Sequence, residues 1–141
     1  MRRLLIALPL LWAAPALADD DRVPPVTDPV VVKECGACHM AFQPAFLPAR
    51  SWQVMMAGLS DHFGDDAALP PETTARITDY LVRNAGRDRS GGQAPQRITE
   101  LRWFAHEHDF PARVWARPDV VTKSNCVACH KAADAGIYED D

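Results

Sequence analysis

Two copies of one five-residue motif constrain this chain more than any other feature. The pattern Cys-x-x-Cys-His occurs at residues 35–39 and again at residues 126–130, and together the copies use all four cysteines. Two thiols three positions apart can form thioethers to the two vinyl groups of one porphyrin, while the adjacent histidine ligates the iron. The sequence therefore predicts two covalently attached haem c groups. Their cofactor-binding residues would be Cys35, Cys38, His39, Cys126, Cys129 and His130.

A single Cys-x-x-Cys pair would be less specific, since redox dithiols and structural zinc sites share that spacing. Here a histidine directly follows the second cysteine in both copies, and no cysteine is left over. The duplicated motif therefore favours haem attachment over a zinc site or a redox dithiol.

The first residues are typical of an export signal. Two arginines precede an apolar run at residues 4–12, and Ala-Leu-Ala at residues 16–18 is a small-residue cleavage site. We expect a signal peptide over residues 1–18, cleaved after Ala18, and a mature protein in the periplasm. The apolar run is far shorter than the roughly 20 residues of a membrane-spanning helix, so the mature chain should not cross a membrane.

The charge of the chain excludes one class of partner. Loss of two arginines with the signal peptide would change the formal net charge from −4 to −6. Such an acidic chain is a poor ligand for nucleic acid. The remaining residues, 19–141, suffice for a single domain with a modest core, so the two porphyrins should supply much of the interior apolar surface.

The hydrophobic pattern and its breakers predict an all-α fold: a small haem-filled cytochrome c-type domain with few short helices and long loops. An acidic, proline-bearing arm precedes the first helix. The loop at 86–96, rich in Gly, Arg, Asp and Ser, should divide a first haem half, about 28–85, from a second haem half, about 97–141. The halves order their motifs and helices differently and are no simple repeat. The predicted helices start at Asp28-Pro29, span Ala49–Phe63, Pro71–Ala85 and Thr99 to about His108, and start again at Ser124 or Asn125.

Each iron needs a sixth ligand or an open position, and three histidines lie outside the motifs. On a helix, His62 would share an apolar face with Leu59, and His108 would share the face of Phe104, whereas His106 would project beside Trp103. We therefore expect His62 and His108 as ligands. The predicted metal-ligating set is then His39, His62, His108 and His130.

Methionine is the competing sixth ligand for the first haem. Met55 and Met56 could replace His62, although both would also fit as core side chains. Met40 follows His39 directly and cannot easily reach the opposite face of the same haem. No methionine follows residue 56, so histidine is favoured for the second haem. The indole rings of Trp52, Trp103 and Trp115 are expected to pack on porphyrin.

The chain resembles the dihaem cytochromes c of bacterial electron transport. The resemblance rests on the early motif at 35–39, on Leu-Ser-Asp-His-Phe-Gly at 59–64, on residues 97–104 followed by His108, and on the late motif at 125–133. It implies a small periplasmic protein with two low-spin, bis-histidine haems. It also implies redox partners, a high-spin monohaem cytochrome c and a membrane cytochrome b.

These features predict an electron carrier and not an enzyme. An iron with histidine on both sides has no open position for O₂ or peroxide, which leaves electron transfer through the porphyrin edge. The alternatives are a small peroxidase-like haem enzyme or a gas-binding haem protein, and either would need one open axial site.

Overall fold

The structure, a computed structural model, describes residues 22–139, and the predicted signal peptide lies outside this range. Within the range the chain is helical and contains isolated β-bridges but no strand. The predicted all-α class is therefore confirmed. No helix between residues 22 and 139 is long and apolar enough to cross a bilayer. The helices are α1 (Pro29–Cys35), α2 (Ala49–Ala57), α3 (Pro71–Arg83), α4 (Arg102–Glu107) and α5 (Ala112–Trp115).

Helix α1 begins where the sequence predicts. The side chain of Asp28 accepts a hydrogen bond of 2.8 Å from the backbone N–H of Val30, and Pro29 occupies the first helical position. Arg76 of α3 donates to the same carboxylate at 3.1 Å. Because α1 ends at Cys35, the first haem motif begins on the last residue of a helix whose start is fixed to α3.

Helix α2 is shorter than predicted. It ends at Gly58, whose N–H donates to the carbonyl of Met55, and not at Gly64. A 3₁₀ turn, Leu59–Asp61, follows. Glycine has the lowest helix propensity after proline, so the first glycine after the apolar repeat was sufficient to end the helix.

Helices α2 and α3 enclose a core made of protein side chains. Trp52 is 5% exposed and donates its indole N–H to the carbonyl of Pro44 at 2.9 Å, so this tryptophan, expected on a porphyrin, belongs to the protein core. Helix α3 matches its prediction to within two residues at its end. The core consists of Val31, Leu47, Trp52, Met56, Ile77 and Leu81.

The second half contains less regular structure than predicted. Thr99 lies in a 3₁₀ turn, and α4 starts only after Leu101, which takes the N-cap position without a side-chain hydrogen bond. The second haem motif forms a 3₁₀ turn, Cys126–Ala128, and not a capped helix. The side chain of Asn125 donates to the carbonyl of Asp119 at 3.0 Å and makes no cap hydrogen bond.

The two ends of the described chain meet. The N–H of Val23 donates to the carbonyl of Gly136 at 2.8 Å, so the start of the arm expected before α1 is held by backbone contacts. Gly136 has a φ of +77°, and a Cβ atom there would lie 2.0 Å from the carbonyl oxygen of Val23. Only glycine meets both conditions.

Candidate haem sites

The structure brings the four histidines of the predicted ligand set together in two pairs. The ring centroids of His39 and His62 are 6.2 Å apart, and the ring planes meet at 24°. Those of His108 and His130 are 6.1 Å apart, with planes at 77°. Each motif histidine therefore faces the histidine nearer to it in sequence.

These distances fit two imidazoles on opposite sides of one iron. A metal–imidazole nitrogen bond is about 2 Å long and the centroid lies about 1 Å behind that nitrogen, so two ligand rings should have centroids roughly 6 Å apart. One histidine of each pair also lines a cleft: His62 lines one of about 300 Å³ and His108 one of about 310 Å³. The residues present fit two haem groups.

A tight turn, and not a helix, presents His62. The N–H of His62 donates to the carbonyl of Asp65 at 2.7 Å, and the two residues between them, Phe63 and Gly64, have φ values of +58° and +103°. Two successive positive φ values are typical of a type I′ turn, which glycine adopts readily and phenylalanine does not. The guanidinium of Arg97 lies 4.0 Å from the centroid of the Phe63 ring and covers this turn.

The imidazole of His39 is held by a hydrogen bond and a ring contact. Its Nδ1 lies 2.7 Å from the carbonyl oxygen of Met40, which can only accept, so Nδ1 carries the proton and Nε2 keeps the lone pair that binds a metal. The ring of Phe42 stacks on it with centroids 5.0 Å apart.

His108 has the same type of support. Its Nδ1 donates to the carbonyl of Phe104 at 3.1 Å, and the two rings stack with centroids 4.0 Å apart and planes at 6°. Phe104 is itself buried. His108 directly follows α4 and is partly buried, whereas His106, on α4, is exposed. The side-chain face inferred for His108 from the sequence is the face that the structure shows.

The remaining side chains expected near haem lie in different places. Met55 lines the cleft beside His62, whereas Met56 is buried in the protein core. The indole of Trp115 has its centroid 6.2 Å from that of His108. Trp103 is 42% exposed and stacks on Phe46.

Burial changes the acidity of groups at both sites. Burial lowers the pKa of His62, and the neighbouring His39 lowers it further, which favours the neutral imidazole that ligates metals. Burial also raises the pKa of the Cys35 and Cys126 thiols. A reactive Cys-x-x-Cys dithiol usually has a lowered thiol pKa, so the raised values at Cys35 and Cys126 do not favour that class. No disulfide joins the four cysteines, all of which lie within residues 22–139.

A sequence profile of one protein family matches most of the chain. The sequence profile described as "Dihaem cytochrome c" matches residues 31–138, which include both motifs and the three histidines between them. The chain belongs to the dihaem cytochrome c family. Membership makes it an electron-transfer haem protein with two haem c groups.

Solved structures of dihaem cytochromes share its fold. DHC purified from Rhodobacter sphaeroides is 46% identical, with a TM-score of 0.72, and the match covers 80% of this chain and 98% of that one. A structure named diheme cytochrome c from the same organism is 41% identical, with a TM-score of 0.75 and coverage of 82% and 99%. A diheme cytochrome type c from Shewanella baltica is 42% identical, with a TM-score of 0.71 and coverage of 79% and 86%. No curated protein sequence matches the chain.

Sequence reasoning placed the Phe and Leu side chains of residues 40–48 over the first porphyrin, and Phe42 does stack on His39. It missed two side chains, Gln43 and Tyr138, which form a partly buried hydrogen bond beside His130. No sequence pattern links Gln43 to Tyr138, because they are separated by 95 positions.

Proposed function

We propose that this dihaem cytochrome transfers electrons between redox partners through two low-spin haems, each ligated by two histidines, and catalyses no reaction of its own. The pairs are His39 with His62 and His108 with His130. The observation that carries the proposal is that both pairs have ring centroids close to 6 Å apart, at 6.2 and 6.1 Å. Occupied axial positions leave no site at which an oxidant could bind iron.

The four cysteines would hold the porphyrins covalently. Each thiol adds across a vinyl group: the sulfur bonds to one carbon, the thiol proton goes to the other, and no oxidant is required. When bound, haem supplies reversible one-electron chemistry, and the protein fixes its ligands and its contact with water.

We place this electron carrier in the periplasm, with a mature chain that starts after Ala18. The pattern of residues 1–18 supports export, and covalent haem attachment outside the cytoplasm agrees with it. The partners that the family resemblance implies are a high-spin monohaem cytochrome c and a membrane cytochrome b. The acidic mature chain would attract a basic surface on such a partner.

Three alanine substitutions test the ligand set. We expect His62→Ala and His108→Ala each to open one haem of two, which produces a partial high-spin signal and new CO binding by the ferrous protein. The other haem should stay unchanged. His106→Ala is the matched control, since His106 is exposed and lies two residues from His108. It should leave both haems low-spin in absorption and EPR spectra.

Two results would contradict the proposal. If the unmutated ferrous protein already binds CO stoichiometrically at one haem, the protein has an open site, and a gas-binding or peroxidase-like activity would be favoured. If His62→Ala leaves both haems low-spin, a methionine such as Met55, which lines the same cleft, is the better candidate for that ligand.

A further inference from the structure

A buried hydrogen bond connects the segment after the first haem motif to the turn that follows the second. Gln43 is fully buried, at 0% exposed. Its Nε2 donates to the carbonyl of Ala133 at 2.7 Å, and its Oε1 accepts from the hydroxyl of Tyr138 at 2.5 Å. Both ends of this amide are therefore bonded to residues that surround His130.

The ring of Tyr138 packs against the ring of His130. The two centroids are 5.4 Å apart, with planes at 63°. Phe46 contacts the same tyrosine ring, with centroids 5.3 Å apart and planes at 76°. Tyr138 is thus held by its hydroxyl at Gln43 and by its ring at Phe46, and it presents a fixed aromatic surface to the imidazole.

His130 differs from the other motif histidine in how its ring is held. His39 donates from Nδ1 to a backbone carbonyl, and so does His108. The Nδ1 of His130 is buried and has no hydrogen-bond partner among residues 22–139. A ligand imidazole without that bond can rotate about its metal–nitrogen axis unless packing prevents it. Apart from the ring of His108, the ring that contacts His130 within residues 22–139 is that of Tyr138.

We propose that Tyr138, anchored by Gln43, is a positioning residue that holds the His130 imidazole nearly perpendicular to that of His108. The inference rests on the proposed function, in that His108 and His130 share one iron. The angle of 77° at this pair, against 24° at the other, is the feature that Tyr138 maintains.

The angle between axial imidazoles has a direct spectroscopic consequence. Each ring interacts through its π system with the iron d orbital that is oriented perpendicular to the ring plane. Parallel rings act on one d orbital and separate it from its partner, whereas perpendicular rings act equally on both orbitals. A smaller separation gives a larger maximum g value in the low-spin ferric EPR spectrum. The iron between His108 and His130 should therefore give the larger maximum g value of the two.

The test is low-temperature EPR on the oxidised dihaem protein with Tyr138→Phe, which removes one hydroxyl and keeps the ring. The signal with the larger maximum g value should shift to a lower value and broaden, while the other signal stays unchanged. Gln43→Met should have the same effect, and the double variant no further effect, because both residues act through one hydrogen bond. Tyr80→Phe is the control: Tyr80, the other of the two tyrosines, lies on α3 and accepts a hydrogen bond from the backbone N–H of Thr27.

Three results would overturn the inference alone: two low-spin signals with wild-type g values in Tyr138→Phe, an equal shift of both signals, or the same shift in Tyr80→Phe. A high-spin ferric signal in the unmutated protein would overturn the ligand set of the proposed function and this inference with it. A failure of this inference would therefore appear in the variants, whereas a failure of the proposed function would appear in the unmutated protein.

Discussion

The two segments that contain the Cys-x-x-Cys-His motifs are built in different ways. Residues 28–85 bury a set of large side chains between α1, α2 and α3, and this set forms one protein core. Among residues 97–139 the buried apolar side chains are Phe104, Val120, Ala128 and Ala133, two of which are alanines. The first segment can be stabilised by its own side chains, whereas the second must obtain much of its apolar contact from porphyrin.

Helix length leads to the same conclusion. Helices α2 and α3 have 9 and 13 residues, whereas α4 and α5 have 6 and 4. Isolated helices shorter than about 12 residues are marginal in water, so most of their stability comes from packing. The second segment has neither long helices nor a large protein core. Its fold should depend on its haem as small metal domains depend on their metal.

The largest expected effect comes from removing one haem at a time. With Cys126 and Cys129 both replaced by alanine, the protein should retain one haem by intact mass, and the amides of α4 and α5 should lose protection from hydrogen exchange. The amides of α2 and α3 should stay protected. With Cys35 and Cys38 replaced, the loss of protection in α2 and α3 should be smaller, because their core is made of protein side chains.

Equal loss of protection in both single-haem proteins would show that the segments depend on haem to the same degree. Greater loss in the first segment would reverse the comparison.

A smaller effect is expected from one core substitution made in each segment. Val31 and Val120 are 1% and 3% exposed. Val31→Ala removes two methyl groups from the main core and leaves a cavity, so the free energy of unfolding should fall by about 2 kcal/mol. Val120 lies outside that core cluster, and Val120→Ala should cost less. Denaturant unfolding of the two variants measures the difference, and an equal cost would contradict the contrast between the segments.

The smallest effect concerns the ion pair that fixes α1 to α3. Burial acts to raise the pKa of Asp28, but the hydrogen bonds from Val30 and Arg76 outweigh it, and the pKa lies below its usual 3.8. A lowered folded-state pKa contributes stability that is present above the unfolded pKa and is lost as pH falls through the folded one. Asp28→Asn keeps a capping oxygen and removes the charge, so it should lower the melting temperature slightly near neutral pH.

This difference between Asp28→Asn and the unmutated protein should shrink as pH falls below about 3.8, the usual pKa of an aspartate, and through the lower folded-state pKa of Asp28. Asp119→Asn is the matched control in the second segment. The hydrogen bond from Arg117 lowers the pKa of Asp119 too, but it joins residues two positions apart and connects no helices. A larger effect at Asp119 than at Asp28 would contradict the role given to the α1–α3 ion pair.

Local signals in the sequence predicted the features that depend on local chemistry. The Asp28-Pro29 start of α1 and the proline start of α3 are both confirmed, because capping and proline geometry act within one turn. The all-α class and two haem c groups are confirmed as well. The assignment of individual cysteines and histidines to these haems stays a prediction that the paired imidazoles support.

Two local features and one distant contact were not predicted. Helical periodicity continued past Gly58, but the helix ends there and a turn with positive φ values presents His62. The second motif was expected on a helix, yet residues Cys126–Ala128 form a 3₁₀ turn. The contact between Gln43 and Tyr138 depends on how the two segments dock, and neither residue carries a local signal of it.

The contact between Val23 and Gly136 also has a consequence for the order in which the chain folds. It joins residues 113 positions apart, together with the ion pair between Arg22 and Glu139. Closing so long a loop costs conformational entropy, which is offset only when the remaining contacts exist. The two ends should therefore meet late in folding. Since residues 97–139 bury few large side chains of their own, this closure should follow the folding of that segment around its haem.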